Sequence, residues 1–176
     1  MRKLLLIICL ICSVPAVCQY GQGVTASAKM MSGHDGFSSV LEPLWSYTAA
    51  RIEWSKIAAD KSDNPSVKAF AKTTAEQQEQ LAHNLLEKGN AYGAQYARTV
   101  EGKNKKTSEK LRTLSGQDFD KEYLKAMQSS GNNVADLLHN GSLSFSDVDI
   151  QTFCTRLQDI FAHQDDEAHK LLKSVK

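Results

Sequence analysis

Proline and alternating apolar patterns are scarce in this sequence. Its 176 residues include three prolines and ten glycines, and no stretch alternates regularly between apolar and polar residues. Such alternation is typical of half-buried β-strands, so its absence argues against a sandwich or a barrel. The length suits one domain with a single core. We therefore expect one helical domain.

Cysteine is scarce in the part of the chain that we expect to fold. Residues 1–18 read MRKLLLIICLICSVPAVC, which joins a basic start, an apolar run and small residues before Cys18. This pattern predicts a signal peptide over 1–18, cleaved after Cys18. Of the four cysteines only Cys154 lies beyond it. A disulfide framework is therefore not expected, and we predict that Cys154 is a buried, inert thiol.

Two alternatives to cleavage stay open. The apolar run over residues 4–14 is short for a membrane span of about 20 residues, yet the leader could remain as an uncleaved anchor. Cys18 could also be kept and acylated, which would give a lipoprotein. Residues 19–36 are rich in small and polar residues and predict a flexible tether before a domain over 37–176. We expect an exported protein, periplasmic or associated with the outer membrane, that meets a membrane only through its leader.

An excess of charge of either sign is also missing. The chain has 21 basic and 20 acidic residues, and removal of Arg2 and Lys3 with the leader leaves 19 against 20. Nucleic-acid-binding domains usually carry a clear basic excess. We therefore expect no nucleic-acid partner.

Four stretches carry the apolar spacing of amphipathic helices. The clearest spans residues 64–89, with Asn64 as N-cap, Pro65 at the first helical position and Gly89 as a C-terminal stop. The others are predicted over residues 37–59, 117–139 and 147–175, the last capped by Ser146. Residues 91–106 form a long connection, followed by one or two helical turns over 107–114. The pattern predicts an antiparallel four-helix bundle with a short extra helix between helices two and three.

The predicted buried stripes contain one anomaly. Ile52 lies on the stripe of the first helix, and Phe70 lies where the first two helices meet. Gln78, however, places an amide in the middle of the otherwise apolar face of the second helix. Because buried polar groups are normally hydrogen-bonded, we expect Gln78 to bond across the core to Ser130 or Thr74. In the long connection, Tyr92 and Tyr96 are expected to pack over one end of the bundle.

Three runs of residues carry a family resemblance. They are ARIEWSKIAADKSDNPSVKAFA from Ala50, LRTLSGQDFDKEYLKAM from Leu111 and RLQDIFAH ending at His163. These runs resemble a family of exported bacterial helical bundles, catalogued as domain of unknown function 4142 and often labelled outer membrane proteins. The resemblance extends from about Trp45 to the C-terminus and implies a ferritin-like fold.

The resemblance also implies a metal site that is degenerate in this chain. Family members typically show one Asp-His pair after the FA motif, a second after the Tyr-to-Met segment, and a His late in the last helix. Here the two pairs fall on Gln77-Gln78 and Ser130-Gly131, and only His163 is in register. A di-iron bundle needs inward carboxylates and Glu-x-x-His pairs, and neutral amides bind transition metals weakly.

A few ligand-type residues nevertheless remain. His163 and Glu167 have i,i+4 spacing beside Asp165, Asp166 and His169, although a solvated polar face explains the same pattern. On the second helix the carboxylates have no imidazole nearby, and on the first helix one carboxylate stands where a ferritin-like fold would place a ligand. The metal-ligand candidates are Glu53, Glu76, His163 and Glu167.

Motifs for catalysis are missing. The chain has no Gly-x-Ser-x-Gly, no plausible Cys-His pair and no glycine-rich loop after a strand. We therefore expect an exported cell-envelope bundle, not an enzyme, with a binding, structural or stress-related role, no cofactor, and an envelope partner or small ligand. The alternative is a metal-binding or iron-handling protein or oxidoreductase that holds iron or another transition metal in the bundle core.

Overall fold

The computed structural model describes residues 33–100 and 102–175, and five α-helices lie within these ranges. They are α1 (Gly33–Lys61), α2 (Pro65–Ala91), α3 (Gly102–Thr113), α4 (Gly116–Ser144) and α5 (Val148–Ser174). No strand occurs among these residues. The predicted all-α bundle with a short extra helix between the second and third long helices is confirmed. The predicted signal peptide and most of the predicted tether lie outside the described residues.

The start of α2 follows the prediction, whereas its end does not. The Asn64 side chain accepts hydrogen bonds from the backbone N–H groups of Ser66 and Val67 at 3.0 and 3.3 Å, so it is the N-cap. The helix then continues past Gly89 to Ala91. Gly89 is needed for close packing, because a Cβ there would lie 2.9 Å from a ring carbon of Tyr96. The prediction of a stop at Gly89 is therefore wrong.

Other helix ends also differ from the prediction. α1 begins at Gly33 instead of near residue 37, and α4 runs on through the expected break at residues 140–142 to Ser144. Gly141 is buried inside α4, where a Cβ would lie 3.2 Å from Val40, so tertiary packing outweighs the low helix propensity of glycine.

At α5 the prediction missed the cap by one residue. Asp147, not Ser146, accepts hydrogen bonds from the backbone N–H groups of Asp149 and Ile150 at 2.8 and 3.3 Å.

α3 starts at Gly102, inside the predicted connection, and is twelve residues long. Its C-terminus is held by the Lys61 ammonium, which donates to the carbonyls of three residues at 2.6 to 3.2 Å: Leu111, Arg112 and Leu114. This external cap stabilises a helix with little apolar surface of its own.

The long helices form two antiparallel hairpins, α1 with α2 and α4 with α5, each joined by a three-residue turn. Contacts between the hairpins give their relative direction. Arg51 of α1 bonds to Ser130, whereas Ser62, in the turn directly after α1, bonds to Asp120, which lies earlier in α4 than Ser130. α1 and α4 therefore run in opposite directions. The segment after α2 therefore returns along the bundle, and α3 lies against α1 and α4.

Apolar side chains form two separate cores along this bundle. The Phe37 core comprises Phe37, Val40, Leu41, Leu44, Leu81, Leu85, Val134, Leu138, Phe145, Ile150, Cys154, Leu157 and Phe161. The Trp54 core comprises Ala50, Trp54, Ala58, Val67, Phe70, Ala71, Leu111, Phe119, Tyr123, Leu124, Met127, Ala168 and Val175. Between them, each of the four long helices contributes buried polar side chains: Thr48, Arg51, Ser55, Thr74, Gln78, Ser130 and Gln164. We call this set the polar layer.

Several predicted packing positions are confirmed. Phe70 and Cys154 are buried. Tyr92 and Tyr96 pack against the Phe37 core at one end of the bundle, as expected. Ile52 is only half-buried, so its predicted place on the inner stripe is wrong; its neighbour Arg51 is fully buried instead. Among the described helices, none combines the length and apolar character that crossing a bilayer requires.

Candidate functional site

Arg51 is the centre of the polar layer. Its side chain is 0% exposed, and its guanidinium donates to four oxygens that belong to α4 and α5. Nε bonds to the Ser130 hydroxyl at 2.8 Å, and Nη1 bonds to the Gln164 carbonyl oxygen at 2.9 Å. Nη2 bonds to the Met127 carbonyl at 2.7 Å and to the Asp165 carboxylate at 2.6 Å. A single cation thus joins α1 to both helices of the second hairpin.

The surroundings of Arg51 match the requirements of a buried charge. The guanidinium carbon lies 4.4 Å from the centroid of the Phe161 ring, within cation–π range. The Asp165 carboxylate, 19% exposed, supplies the opposite charge. A buried ion is stabilised only when it is paired and its hydrogen-bonding groups find partners. Arg51 is paired with Asp165, and each of its three guanidinium nitrogens donates at least one hydrogen bond.

The electrostatics of this pair are set by burial and mutual attraction. Burial lowers the pKa of Arg51, and the neighbouring Asp165 carboxylate opposes that change by attraction and a hydrogen bond. Burial likewise raises the pKa of Asp165, while Arg51 acts to lower it. Each group therefore reduces the burial cost of the other. Removal of either would leave an unpaired charge inside the bundle.

Gly131 gives Asp165 its access to Arg51. A Cβ added at Gly131 would lie 1.5 Å from Oδ2 of Asp165, so no side chain can occupy this position while the carboxylate stays where it is. The carboxylate lies against the bare backbone of α4, directly after Ser130. The Ser130-Gly131 step thus supplies one hydrogen-bond acceptor and one gap for the network.

Amide side chains connect the network to α2. Nε2 of Gln78 donates to Oε1 of Gln164 at 2.7 Å, and Nε2 of Gln164 donates to Oε1 of Gln77 at 2.8 Å. The predicted partners of Gln78, Ser130 and Thr74, are therefore wrong, although its burial and its bond across the core are as expected. Oε1 of Gln78 and the Thr48 hydroxyl have no hydrogen-bond partner among the described residues.

The four metal-ligand candidates lie apart from this centre. Glu53 faces α3, where it accepts the Ser108 hydroxyl at 2.9 Å and pairs with Arg112 at 2.7 Å. Glu76 is exposed on α2. Nδ1 of His163 lies 3.8 Å from Glu167, and their side chains are 70% and 46% exposed. His163 borders an open groove of about 450 Å³ between α2 and α5.

The residues at the centre do not suit a metal ion. In the part of the chain that the structure describes, no three His, Cys, Asp or Glu side chains are placed to share a metal. The positions that the resemblance assigns to its Asp-His pairs hold amides, a hydroxyl and a glycine, while Arg51 already engages the Asp165 carboxylate. Amides and hydroxyls are weak ligands for transition metals, and a fixed guanidinium repels another cation. These oxygen atoms instead stabilise the guanidinium of Arg51.

Burial makes two side chains of the apolar cores, Tyr123 and Cys154, poor nucleophiles. Burial raises the pKa of the Tyr123 phenol, which shares a hydrogen bond of 2.9 Å with Ser55. Burial also raises the pKa of the Cys154 thiol to about 11, so this thiol stays protonated at neutral pH. As predicted, Cys154 is therefore buried and is a poor nucleophile.

Sequence reasoning identified Gln78 but missed Arg51 and Gln164, and it grouped Asp165 with His163 and Glu167 instead of pairing it with Arg51. The signal in the sequence was the spacing of Arg51 from two small polar residues. Arg51 follows Thr48 by three residues and precedes Ser55 by four, so the three side chains share one helix face. The small pair Ser130-Gly131 on another helix offered room for a long side chain. An arginine at such a position is usually exposed, and the helical spacing of Thr48, Ile52 and Ser55 predicts Ile52 on the stripe instead.

Comparison with known sequences identifies the family of the chain. The sequence model of a family described as "Domain of unknown function (DUF4142)" matches residues 22–171. No curated protein and no solved structure matches the chain. The ferritin-like arrangement and the outer-membrane label that the resemblance implies therefore stay predictions. Because the match spans most of the 176 residues, the chain belongs to the DUF4142 family, a family of unknown function.

Proposed function

We propose that this protein is a non-enzymatic helical bundle of the cell envelope with a binding or structural role, stabilised by an internal arginine in place of a metal. The observation that carries the proposal is the set of four hydrogen bonds, at 2.6 to 2.9 Å, through which all three guanidinium nitrogens of Arg51 are bonded at the bundle centre. Two unit charges 4 Å apart repel by about 4 kcal/mol at an effective dielectric constant of 20. A metal ion that took the Asp165 carboxylate away from Arg51 would meet at least that repulsion.

A structural role also agrees with the ligand chemistry of the layer. Asp165 is the carboxylate that contacts Arg51, and Gln78 and Gln164 bond to each other. The oxygens left without a hydrogen-bond partner, Oε1 of Gln78 and the Thr48 hydroxyl, are neutral, and the Asp165 carboxylate is already paired with Arg51. Transition metals favour imidazole, thiolate or carboxylate over the amides present here.

Metal content tests the proposal. Protein purified from the envelope fraction without chelators should contain well below one transition-metal ion per chain, and its thermal midpoint should not rise with added iron, zinc or manganese. If the protein had a specific metal site, a free metal concentration of 100 times its dissociation constant would stabilise the fold by about 2.7 kcal/mol, which is easily detected. The His163→Ala variant should behave as the wild type does. A measured intact mass equal to that of residues 19–176 would support export followed by cleavage after Cys18.

Other outcomes would favour the alternative. Close to two metal ions per chain, lost on mutation of Glu53 or His163, would overturn the metal-free proposal. The structural support for a metal-handling role is the His163–Glu167 pair at the rim of the α2–α5 groove. Two exposed ligands from one helix make a weak site, because they leave most of the coordination sphere to water. Recovery in the cytoplasm with residues 1–18 intact would overturn the envelope assignment.

A further inference from the structure

The crossover between α2 and α4 carries a local excess of positive charge. From Arg98 to Arg112 the sequence has six basic and two acidic residues, although the whole chain has 21 and 20. The rest of the chain therefore has three more acidic than basic residues. Charge that is balanced overall is thus unevenly distributed over the chain.

The helical pattern of α3 puts these cations on one side. Asn104, Ser108 and Leu111 are its buried residues and face the bundle. The basic residues of α3 are all exposed: Lys103, Lys105, Lys106, Lys110 and Arg112. We call this exposed side the α3 basic face. Because it contains no large apolar side chain, it would act through charge and would not insert into hydrocarbon.

Part of this charge is used to attach α3 to the bundle. Lys110 pairs with Glu122 of α4 at 2.7 Å, and Arg112 pairs with Glu53 of α1 at 2.7 Å. Among the described residues, neither Lys105 nor Lys106 forms an ion pair. Glu109, the single acidic residue of α3, is exposed at i+4 from Lys105 and i+3 from Lys106 but is not paired with either, so both lysine charges are available to a partner.

The α3 basic face is also held rigidly in place. The Trp54 indole N–H donates to the Ser108 hydroxyl at 3.0 Å, that hydroxyl donates to Glu53 at 2.9 Å, and Lys61 caps the end of the helix. A preorganised charged surface loses little conformational entropy when it meets its partner.

We propose that the α3 basic face docks the bundle on an anionic lipid surface. The face is a convex helical ridge, which suits a flat array of phosphate headgroups. The nearby rings of Trp45 and Tyr96 lie 6.3 Å apart, and the Arg98 guanidinium lies within 6.0 Å of both, so they are not free to stack on nucleic-acid bases. The acidic excess of the rest of the chain would favour the orientation in which α3 faces the lipid.

This contact differs from attachment through the leader, and it does not depend on the metal-free centre or on the cellular location. Each lysine near a negatively charged leaflet strengthens binding about fivefold. Attraction of this kind falls as salt rises, because exposed charges are screened over about 10 Å at 0.1 M ionic strength. Binding should therefore depend on lipid charge, on salt and on specific lysines.

Vesicle sedimentation of the full chain tests the proposal. Binding should be stronger to vesicles containing phosphatidylglycerol than to pure phosphatidylcholine vesicles. The difference reports on charge, since an apolar leader would bind both. Changing both Lys105→Gln and Lys106→Gln should weaken binding to the anionic vesicles roughly 10- to 30-fold. The matched control, Lys68→Gln with Lys72→Gln on α2, makes the same change in net charge away from α3 and should retain most of the binding.

Three results would overturn the proposal. Equal binding to the two kinds of vesicle would show that headgroup charge is not recognised. Equal losses in the α3 variant and its α2 control would show that only net charge matters. Binding of heparin or duplex DNA through Lys105 and Lys106 without vesicle binding would identify a soluble polyanion as the partner. Circular dichroism of both variants would show that they stay folded, as expected for changes at three exposed lysines and at the half-buried Lys68.

Discussion

The Phe37 core and the Trp54 core belong to the same four long helices, yet they are held together differently. Around Phe37, the rings of Tyr92, Phe145 and Phe153 pack edge-on with centroid distances of 5.2, 5.9 and 6.2 Å. Such contacts add area burial and a modest ring interaction, and they tolerate small shifts between helices. The Phe37 core therefore holds the helices together but does little to fix their positions relative to one another.

Directional bonds run through the Trp54 core. The Ser55 and Tyr123 hydroxyls share a bond of 2.9 Å, and the Ser62 hydroxyl donates to Asp120 at 2.6 Å. Trp54 reaches across to α3 through Ser108. These bonds occur where α3 is attached and where the hairpins are joined by long-range contacts. The difference shows that apolar burial brings the helices together, whereas buried polar pairs fix which residues face one another.

Gly131→Ala should have the largest effect, because it would break the layer between the two cores. Alanine normally favours a helix by about 0.8 to 1.0 kcal/mol over glycine. Here the new Cβ would occupy the place of the Asp165 carboxylate, 1.5 Å from its Oδ2. Displacing Asp165 leaves Arg51 buried and unpaired, so we expect a loss of about 3 to 5 kcal/mol in urea unfolding.

Asn132→Ala is the matched control, since Asn132 is the next residue of α4 and is exposed. It should change stability by less than about 0.5 kcal/mol. If Gly131→Ala were neutral or stabilising, Asp165 could leave the bundle at no cost, and the layer would not link the two cores.

Phe70→Ala and Phe145→Ala sharpen the comparison by removing one buried ring from each core. Both residues are at most 7% exposed. Each substitution should cost about 3 kcal/mol, since apolar burial contributes to both cores alike. The control is Leu143→Ala at a side chain that is 71% exposed, and it should cost little. A change below about 0.5 kcal/mol at Phe70 would contradict its assignment to the core.

A smaller effect concerns pH at the rim of the Phe37 core. The Tyr92 hydroxyl donates to the Asp147 carboxylate at 3.0 Å, and this bond, helped by two backbone N–H groups, holds the pKa of Asp147 below its usual value. A carboxyl whose pKa is lower in the folded state stabilises the fold above its unfolded pKa of about 3.9, and this contribution is lost as the pH falls.

Asp147→Asn should therefore reduce the difference in thermal midpoint between pH 7 and pH 3. Asparagine can still cap α5, so the helix should remain intact. Asp136→Asn, at an exposed site on α4, serves as the control and should keep the wild-type pH dependence. An unchanged pH dependence in Asp147→Asn would show that the bond to Tyr92 does not contribute to acid sensitivity.

The fold was largely predictable because its signals are local. Asn64 and Pro65 mark the start of α2 through capping chemistry, and the apolar spacing identifies the buried face of each helix. The helix ends at Gly89 and Gly141 were mispredicted because a glycine can serve close packing as well as termination. Which of these applies depends on Tyr96 and Val40, and no local pattern reports those contacts.

The polar layer was less predictable because its members are distant in the sequence. Gln78 stood out because it interrupts an apolar stripe, but its partner Gln164 is 86 residues away. The charge of Arg51 is balanced by the carboxylate of Asp165, 114 positions further along the chain. An isolated arginine is assigned to the surface unless the acceptors that surround it are known, and those come from packing.

The polar layer also limits how the two hairpins can assemble. Two hairpins with smooth apolar faces could slide past each other by a helical turn of about 5.4 Å and still bury most of their side chains. Such a slide would move Arg51 away from Ser130, Gln164 and Asp165 and leave its charge among apolar groups. The buried cation thus raises the energy of misaligned assemblies far more than it stabilises the correct one, and it adds to the alignment that the Ser55–Tyr123 and Ser62–Asp120 bonds give the hairpins.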